Sequence, residues 1–261
     1  MSFEPPPRYS TTVNPDPPTF ESKSDLVVGI DFGTTYTGVA YAHTAGATCS
    51  TNSTTDMRKA AERISVIKTW PSQGNYYAEK TPSILAYNTS PPGWGAKVRT
   101  RDEPKVAHFK LGLQENIGNH YLHRSIPNAS SVLGGFLTDH NWKHPDLPNK
   151  KALDFAGDYL TRICKFVLEE ILPSRYGARF LENQQISYVL TVPAIWSDKA
   201  KELTRQAAIM AGIPRRKLML ITEPEAAALF CATLCNEVDL RQGDRFLVCD
   251  AGGGTVVRHM S

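Results

Sequence analysis

Val27-Val28-Gly29-Ile30-Asp31-Phe32-Gly33-Thr34-Thr35-Tyr36 reads as a buried strand that delivers an aspartate to a tight turn. The apolar run has strand length. Glycine lets the backbone close on an anion, and consecutive N–H groups in such a turn form a concave nest for oxygen anions. The pattern recurs as Phe246-Leu247-Val248-Cys249-Asp250-Ala251-Gly252-Gly253-Gly254-Thr255, with six residues after it. A matched pair suggests two lobes gripping one polyphosphate. Asp31 and Asp250 would repel phosphate directly, so their sensible partner is a hydrated Mg²⁺ between them and a nucleotide. The hydroxyls of Thr34, Thr35 and Thr255 can add donors. For either turn alone, an ordinary hairpin with glycine at positive φ is the competing reading. The chain contains neither G-x-x-x-x-G-K-[ST] nor a G-x-G-x-x-G opening a helix, so phosphate contacts would come from hairpin amides.

Working outward from the first turn, residues 1–24 hold six prolines (Pro5, Pro6, Pro7, Pro15, Pro17 and Pro18) among polar neighbours and read as a disordered tail. Strand Leu26–Asp31 should return through the turn as Thr37–Ala42, with Thr44–Thr55 a flexible hairpin tip. Ile64–Trp70 and Ser83–Tyr87 are strand candidates. Residues 88–150 are the least legible, with a turn at Pro91-Pro92-Gly93 and a short helix or strand over Lys105–Leu113. Leu153, Ala156, Leu160, Ile163, Val167 and Ile171 recur at helical spacing over Lys150–Leu172, and Pro173 is expected to close that helix. A buried strand Ile186–Val192 follows. Then come a helix from about Ser197 to Ala211, capped by Ser197 or Asp198 and stopped by Gly212, a strand Leu218–Ile221 and a helix Glu223–Cys235. Strand–helix alternation argues for an α/β sheet covered by helices.

Composition excludes more than it assigns. The 261 residues are 41% hydrophobic and 21% charged, ordinary for a globular protein, and the net charge of +3 makes no case for nucleic acid. Arg99, Arg101 and Lys105 are interrupted by Asp102 and Glu103 and read as a solvated loop. Five cysteines lack scaffold spacing, and Cys231 and Cys235 read as small core residues. Asn52, Asn88 and Asn128 begin short sequons of the kind that arise often by chance. No signal-peptide core and no run of membrane-spanning length is present, which leads to the expectation of a cytoplasmic chain without a membrane partner, nuclear placement remaining open.

Four motifs in order carry a resemblance. Val28–Ala40 resembles the first phosphate loop of the heat shock protein 70 family, within the actin-like ATPase superfamily. Val189-Leu190-Thr191-Val192-Pro193-Ala194-Ile195-Trp196-Ser197-Asp198 is similar to that family's strand and interlobe crossing. Ile221-Thr222-Glu223-Pro224-Glu225-Ala226-Ala227-Ala228 is similar to its glutamate-proline helix start, and Asp250–Thr255 to its second phosphate loop. Sugar and acetate kinases share the paired loops, but the middle two motifs favour the chaperone branch. Trp196, the long 114–150 segment and weak similarity over 43–110 mark a divergent member.

The resemblance implies an actin-like ATPase (ribonuclease H-like) α/β fold: lobe I, made of a core subdomain over 25–65 and 146–240 with an insert over 66–145, plus the first hairpin of lobe II over 244–261. It implies ATP and Mg²⁺ as cofactors, ATP hydrolysis coupled to lobe movement, and co-chaperones or clients as partners. Asp31 and Asp250 would position Mg²⁺ through its waters; Gly33, Thr34, Thr35 and Tyr36, with Gly252, Gly253, Gly254 and Thr255, would hold the phosphates. Glu223 would orient or deprotonate the attacking water, Pro193 would act as the family's proline switch, and Lys110 in His108-Phe109-Lys110-Leu111-Gly112 resembles the lysine that stabilises the γ-phosphate transition state. A surface lysine is the competing reading at 110. Thr222 and Glu225 form a capping box, which leaves Glu225 structural; Asp198 likewise reads as a helix cap. The pattern departs from the family at Val257, where a second aspartate belongs. The expectation is therefore a truncated ATPase-domain fragment with impaired hydrolysis; a non-catalytic interaction module or weak nucleotide binder is the alternative, and an incomplete gene product the third reading.

Overall fold

β1 (Leu26–Phe32) is the axis on which the rest is built. Leu26, Val28, Ile30 and Phe32 are fully buried while the residues between them are half-exposed, as the two-residue period of a pleated strand requires. A computed structural model describes residues 25–44, 61–72, 76–99, 104–114, 146–177, 179–234, 247–251 and 256–260. β2 (Tyr36–His43) returns antiparallel beside β1, with Asp31 opposite Gly38 and Phe32 opposite Thr37. β3 (Ser65–Val66) and β4 (Lys80–Pro82) both pair antiparallel with β2.

A second sheet follows in the chain. β5 (Ile84–Ala86) is flanked by β6 (Gly93–Trp94) and β7 (Lys105–Ala107), all antiparallel. A 3₁₀ turn over Phe109–Leu113 comes next, entered through His108 in the left-handed region at φ 58°. This small sheet falls inside the 66–145 stretch expected as an insert, although β4 from the same stretch joins the main sheet.

α1 (Ala152–Lys165) presents Phe155, Ala156, Tyr159, Leu160 and Ile163 to the core. It runs into a π-helical stretch, Phe166–Ile171, and then α2 (Leu172–Tyr176). The expectation that Pro173 closes this helix is corrected: the chain stays helical to Tyr176 and stops at Gly177, whose φ is 99°. The physical reason lies one turn earlier. The Leu172 N–H donates to the Val167 carbonyl, five residues back, and that widened turn relieves the clash a proline ring makes with the preceding carbonyls.

β8 (Ile186–Val192) lies parallel to β1, α3 (Asp198–Met210) follows with Ser197 as its N-cap, and β9 (Leu218–Thr222) lies parallel to β8. The main sheet then reads β3-β2-β1-β8-β9, with β4 also on β2. The chain continues as α4 (Glu223–Leu234) and a separate hairpin, β10 (Leu247–Ala251) with β11 (Val256–Met260). Asp250 sits opposite Val257 in that hairpin.

The core is one continuous cluster in which Leu26, Val28, Ile30 and Phe32 meet Phe155, Tyr159, Leu160 and Ile163. Phe32, Phe109 and Tyr159 form one aromatic group with ring centroids 5.5–6.2 Å apart. Trp70, Trp94 and Phe166 form another at 5.6–6.5 Å. Two further expectations are corrected. Of Ile64–Trp70 only Ser65–Val66 is strand; the Ile67 N–H still donates to the Val39 carbonyl at 2.9 Å, and past it the chain turns away from β2, with Ile67 and Trp70 buried. Cys231 is exposed and does not belong to the core. Its helix is apolar on every side, so periodicity could not single out the covered face. Cys235 lies outside the described residues. Among the described residues no helix is long and apolar enough to cross a membrane.

Candidate functional site

Because β1, β8 and β9 are parallel neighbours, their C-terminal ends open on one edge, the place where open α/β sheets hold ligands. Asp31 stands at that end of β1, Thr191 at that end of β8, and Glu223 follows β9 directly. The Thr191 hydroxyl donates to Asp31 Oδ1 at 2.9 Å, and Lys80 Nζ donates to Oδ2 at 2.7 Å. Both carboxylate oxygens of Asp31 are thereby directed.

The turn after Asp31 is unusually tight. A Cβ built on Gly33 would lie 2.1 Å from the Tyr36 carbonyl oxygen, so close backbone approach demands glycine here, and Gly33 is not among the positive-φ glycines. Ser83, buried between β4 and β5, fastens the turn from one side: its Oγ donates to the Gly33 carbonyl at 2.8 Å and its N–H to the Thr35 carbonyl at 2.8 Å. In a trans peptide the C=O and the following N–H point opposite ways, so the N–H groups of Thr34 and Tyr36 face away from Ser83. Thr34 is buried and Tyr36 exposed.

Lys110 and Glu223 supply a second pair at the same edge. The 3₁₀ turn brings Lys110 inward until its side chain is 2% exposed, and its Nζ donates to Glu223 Oε1 at 2.7 Å, with Glu223 itself 13% exposed. The ammonium also lies 5.3 Å from the Trp196 ring centroid and 5.6 Å from that of Phe32, within cation–π reach. This lysine is therefore a buried, paired group and not a surface one. Glu223 is available because its neighbour does the capping: the Thr222 N–H donates to Glu225 Oε2 at 2.8 Å and the Glu225 N–H to Thr222 Oγ1 at 3.4 Å. Pro193, buried just past β8, accepts the Trp196 N–H at 3.2 Å, and the resulting turn carries the indole over Lys110. Burial lowers the pKa of His108, at the entry to the 3₁₀ turn, below its ordinary value.

Asp31, Gly33–Tyr36, Lys110, Pro193 and Glu223 are thus brought together around one sheet edge. Of Asp250 only the backbone, in β10, is described, and Gly252, Gly253, Gly254 and Thr255 lie outside the described residues. Sequence reasoning gave no role to Lys80, Ser83 or Thr191, which hold the aspartate and its turn. Each reaches its partner across strands rather than along the chain, so local spacing carries no sign of it. Trp196 stood out only as an oddity within the second motif.

No family model matches the chain. Comparison with individual proteins does find relatives. The chain is 29% identical over 218 residues to human heat shock 70 kDa protein 12A, covering 80% of this chain and 29% of that protein. It is 44% identical over 225 residues to human heat shock 70 kDa protein 12B, covering 82% of this chain and 29% of that protein. It is 26% identical over 238 residues to the chaperone protein HscA of Photorhabdus laumondii, covering 88% of this chain and 31% of that protein. The chain belongs to the heat shock protein 70 family, as a divergent member. Its mixed α/β content with sheets fits the ATPase region of such proteins, and it spans about three-tenths of the length of these relatives.

Proposed function

We propose that this chain is an ATP-binding unit of the chaperone-type ATPase class, an actin-like lobe I followed by the start of lobe II, with ATP hydrolysis coupled to lobe movement in the parent protein. The observation that carries the reading is the convergence of the Asp31 turn and the Lys110–Glu223 pair on the C-terminal edge of β1, β8 and β9. The strand order β3-β2-β1-β8-β9, three antiparallel strands continued by two parallel ones, supports the ribonuclease H-like assignment. In this reading 25–65 and 146–240 form the core subdomain, 66–145 the insert, and β10–β11 the opening hairpin of lobe II. Co-chaperones and clients belong to the proposal by family membership alone.

The donor set suits Mg²⁺ brought in with the nucleotide. Among the described residues no cluster of three or more His, Cys, Asp or Glu could cage an ion, whereas one directed carboxylate beside a phosphate turn matches the way Mg²⁺ is held through waters and phosphate oxygens. Bound there, Mg²⁺ would neutralise charge on the phosphates. The residues of the chain do the rest. Thr191 fixes the Asp31 carboxylate, Ser83 aims the turn amides toward an anion, and Lys110 supplies positive charge in a water-poor setting where it acts strongly. Glu223, held by Lys110, would orient the attacking water or take its proton.

Titration of ATP and ADP with Mg²⁺ into the chain, followed by calorimetry, tests the reading: binding should saturate and weaken at least tenfold in Asp31→Asn. No binding at millimolar nucleotide would sink it. A second reading, a nucleotide-binding module without turnover, draws on Glu223 being already engaged by an ammonium and on Val257 standing where the family has an aspartate. ATP turnover abolished by Glu223→Gln would rule that reading out.

A further inference from the structure

Asp31, Gly38 and Lys80 stand side by side across β1, β2 and β4, Asp31 opposite Gly38 and Gly38 opposite Lys80. Adjacent strands are about 4.8 Å apart and partners in register share a face, so Lys80 must pass over the middle strand to reach Asp31. Residue 38 leaves that path open. A Cβ built on Gly38 would lie 3.3 Å from Lys80 Cγ and 3.7 Å from its Cε, which places the lysine stem directly across the bare backbone. The ammonium ends 2.7 Å from Asp31 Oδ2, with the two side chains 52% and 41% exposed, so water and small cations reach the pair.

We infer that Lys80 is a tethered counter-cation for Asp31, laid over the saddle at Gly38, that competes with a divalent cation for this carboxylate and so sets the metal requirement of the site. The inference rests on the reading that Asp31 addresses a metal. An ammonium on Oδ2 uses the lone pairs that metal-bound waters would donate to, and its charge opposes a second cation nearby. Exposed ion pairs are worth roughly 0.2–1 kcal/mol, so freeing the carboxylate should tighten divalent binding by about 1.5- to 5-fold. The plainer alternative is an ion pair that only fastens β4 to the sheet.

The test is Mn²⁺ binding to the 261-residue chain, read by the electron paramagnetic resonance signal of the free ion, with and without ADP. Lys80→Met should tighten Mn²⁺ binding by about 1.5- to 5-fold, and Lys80→Arg should leave it near the parent value. Gly38→Val, which crowds the stem and keeps the charge, should shift binding in the same direction as Lys80→Met. Asp31→Asn should remove the binding. If Asp31→Asn removes it but neither Lys80→Met nor Gly38→Val tightens it, the pair is a fastening and the inference falls while the metal reading survives. If no Mn²⁺ binding depends on Asp31, the metal reading itself fails and takes the role of Lys80 with it. Near-ultraviolet circular dichroism confirms that each variant is folded, and Gly38→Val still decides between competitor and fastening should Lys80→Met unfold.

Discussion

An ammonium that is 2% exposed needs its partner, and Lys110 meets Glu223, the Trp196 ring and the Phe32 ring. Removing one member of a buried ion pair strands the other and costs about 3–5 kcal/mol, whereas replacing both by neutral groups costs much less. Lys110→Met is therefore expected to destabilise the chain by about that amount, and Lys110→Met with Glu223→Gln to recover most of it, by urea unfolding. A loss in the double variant equal to the sum of the Lys110→Met and Glu223→Gln losses would show that the pair is not coupled. Gly33 is constrained as sharply, by space. With 2.1 Å between an added Cβ and the Tyr36 oxygen, Gly33→Ala must move backbone. It is expected to lower stability by about 1–3 kcal/mol, as overpacking does, read from thermal unfolding. An unchanged melting temperature would mean that the turn relaxes freely.

At the scale of elements, what could be read from the sequence was what depends on neighbours in the chain. Ile186–Val192 is a largely apolar run of strand length, with Tyr188, Leu190 and Val192 buried on one face and Val189 and Thr191 half-buried on the other. α3 carries both of its end signals, Ser197 accepting from the Ala200 N–H at 3.2 Å and Gly212 at φ 91°. Ser197→Ala is accordingly expected to cost about 1 kcal/mol, the usual worth of an N-cap, measured by denaturant midpoint at unchanged slope. The Asp31 turn and the Thr222–Glu225 box were legible for the same reason. β4 and β6 were not, because strands of two or three residues leave too few positions for alternation to register. Lys105–Leu113, read as a short helix or strand, holds one of each, β7 and the 3₁₀ turn. Nor could the helix past Pro173 be foreseen, since the widened turn that tolerates the ring is a property of backbone hydrogen bonds rather than composition. Lys80 and Ser83 reach the site only through strand pairing, and that part of the site stayed hidden until the sheet order was known.

For the molecule as a whole, the core separates groups by reactivity. Burial pushes the Cys164 thiol up to about 12, while Cys231 is exposed on α4. Alkylation of the folded chain near pH 8 should therefore mark Cys231 well before Cys164, by peptide mass spectrometry, because the thiolate is the nucleophile. Modification of Cys164 at a similar rate would reveal that α1 opens without global unfolding. A different division runs between the two sheets. β4 belongs to the large sheet and β5 to the small one, and a single residue, Ser83, separates them. That residue grips both carbonyls of the Gly33–Thr35 turn and touches the Thr37 hydroxyl at 2.9 Å. Ser83 is thus a pivot as well as a brace. A tilt of the small sheet against the large one must either carry the turn with it or break two hydrogen bonds, so the mouth of the candidate site is geared to the angle between the sheets.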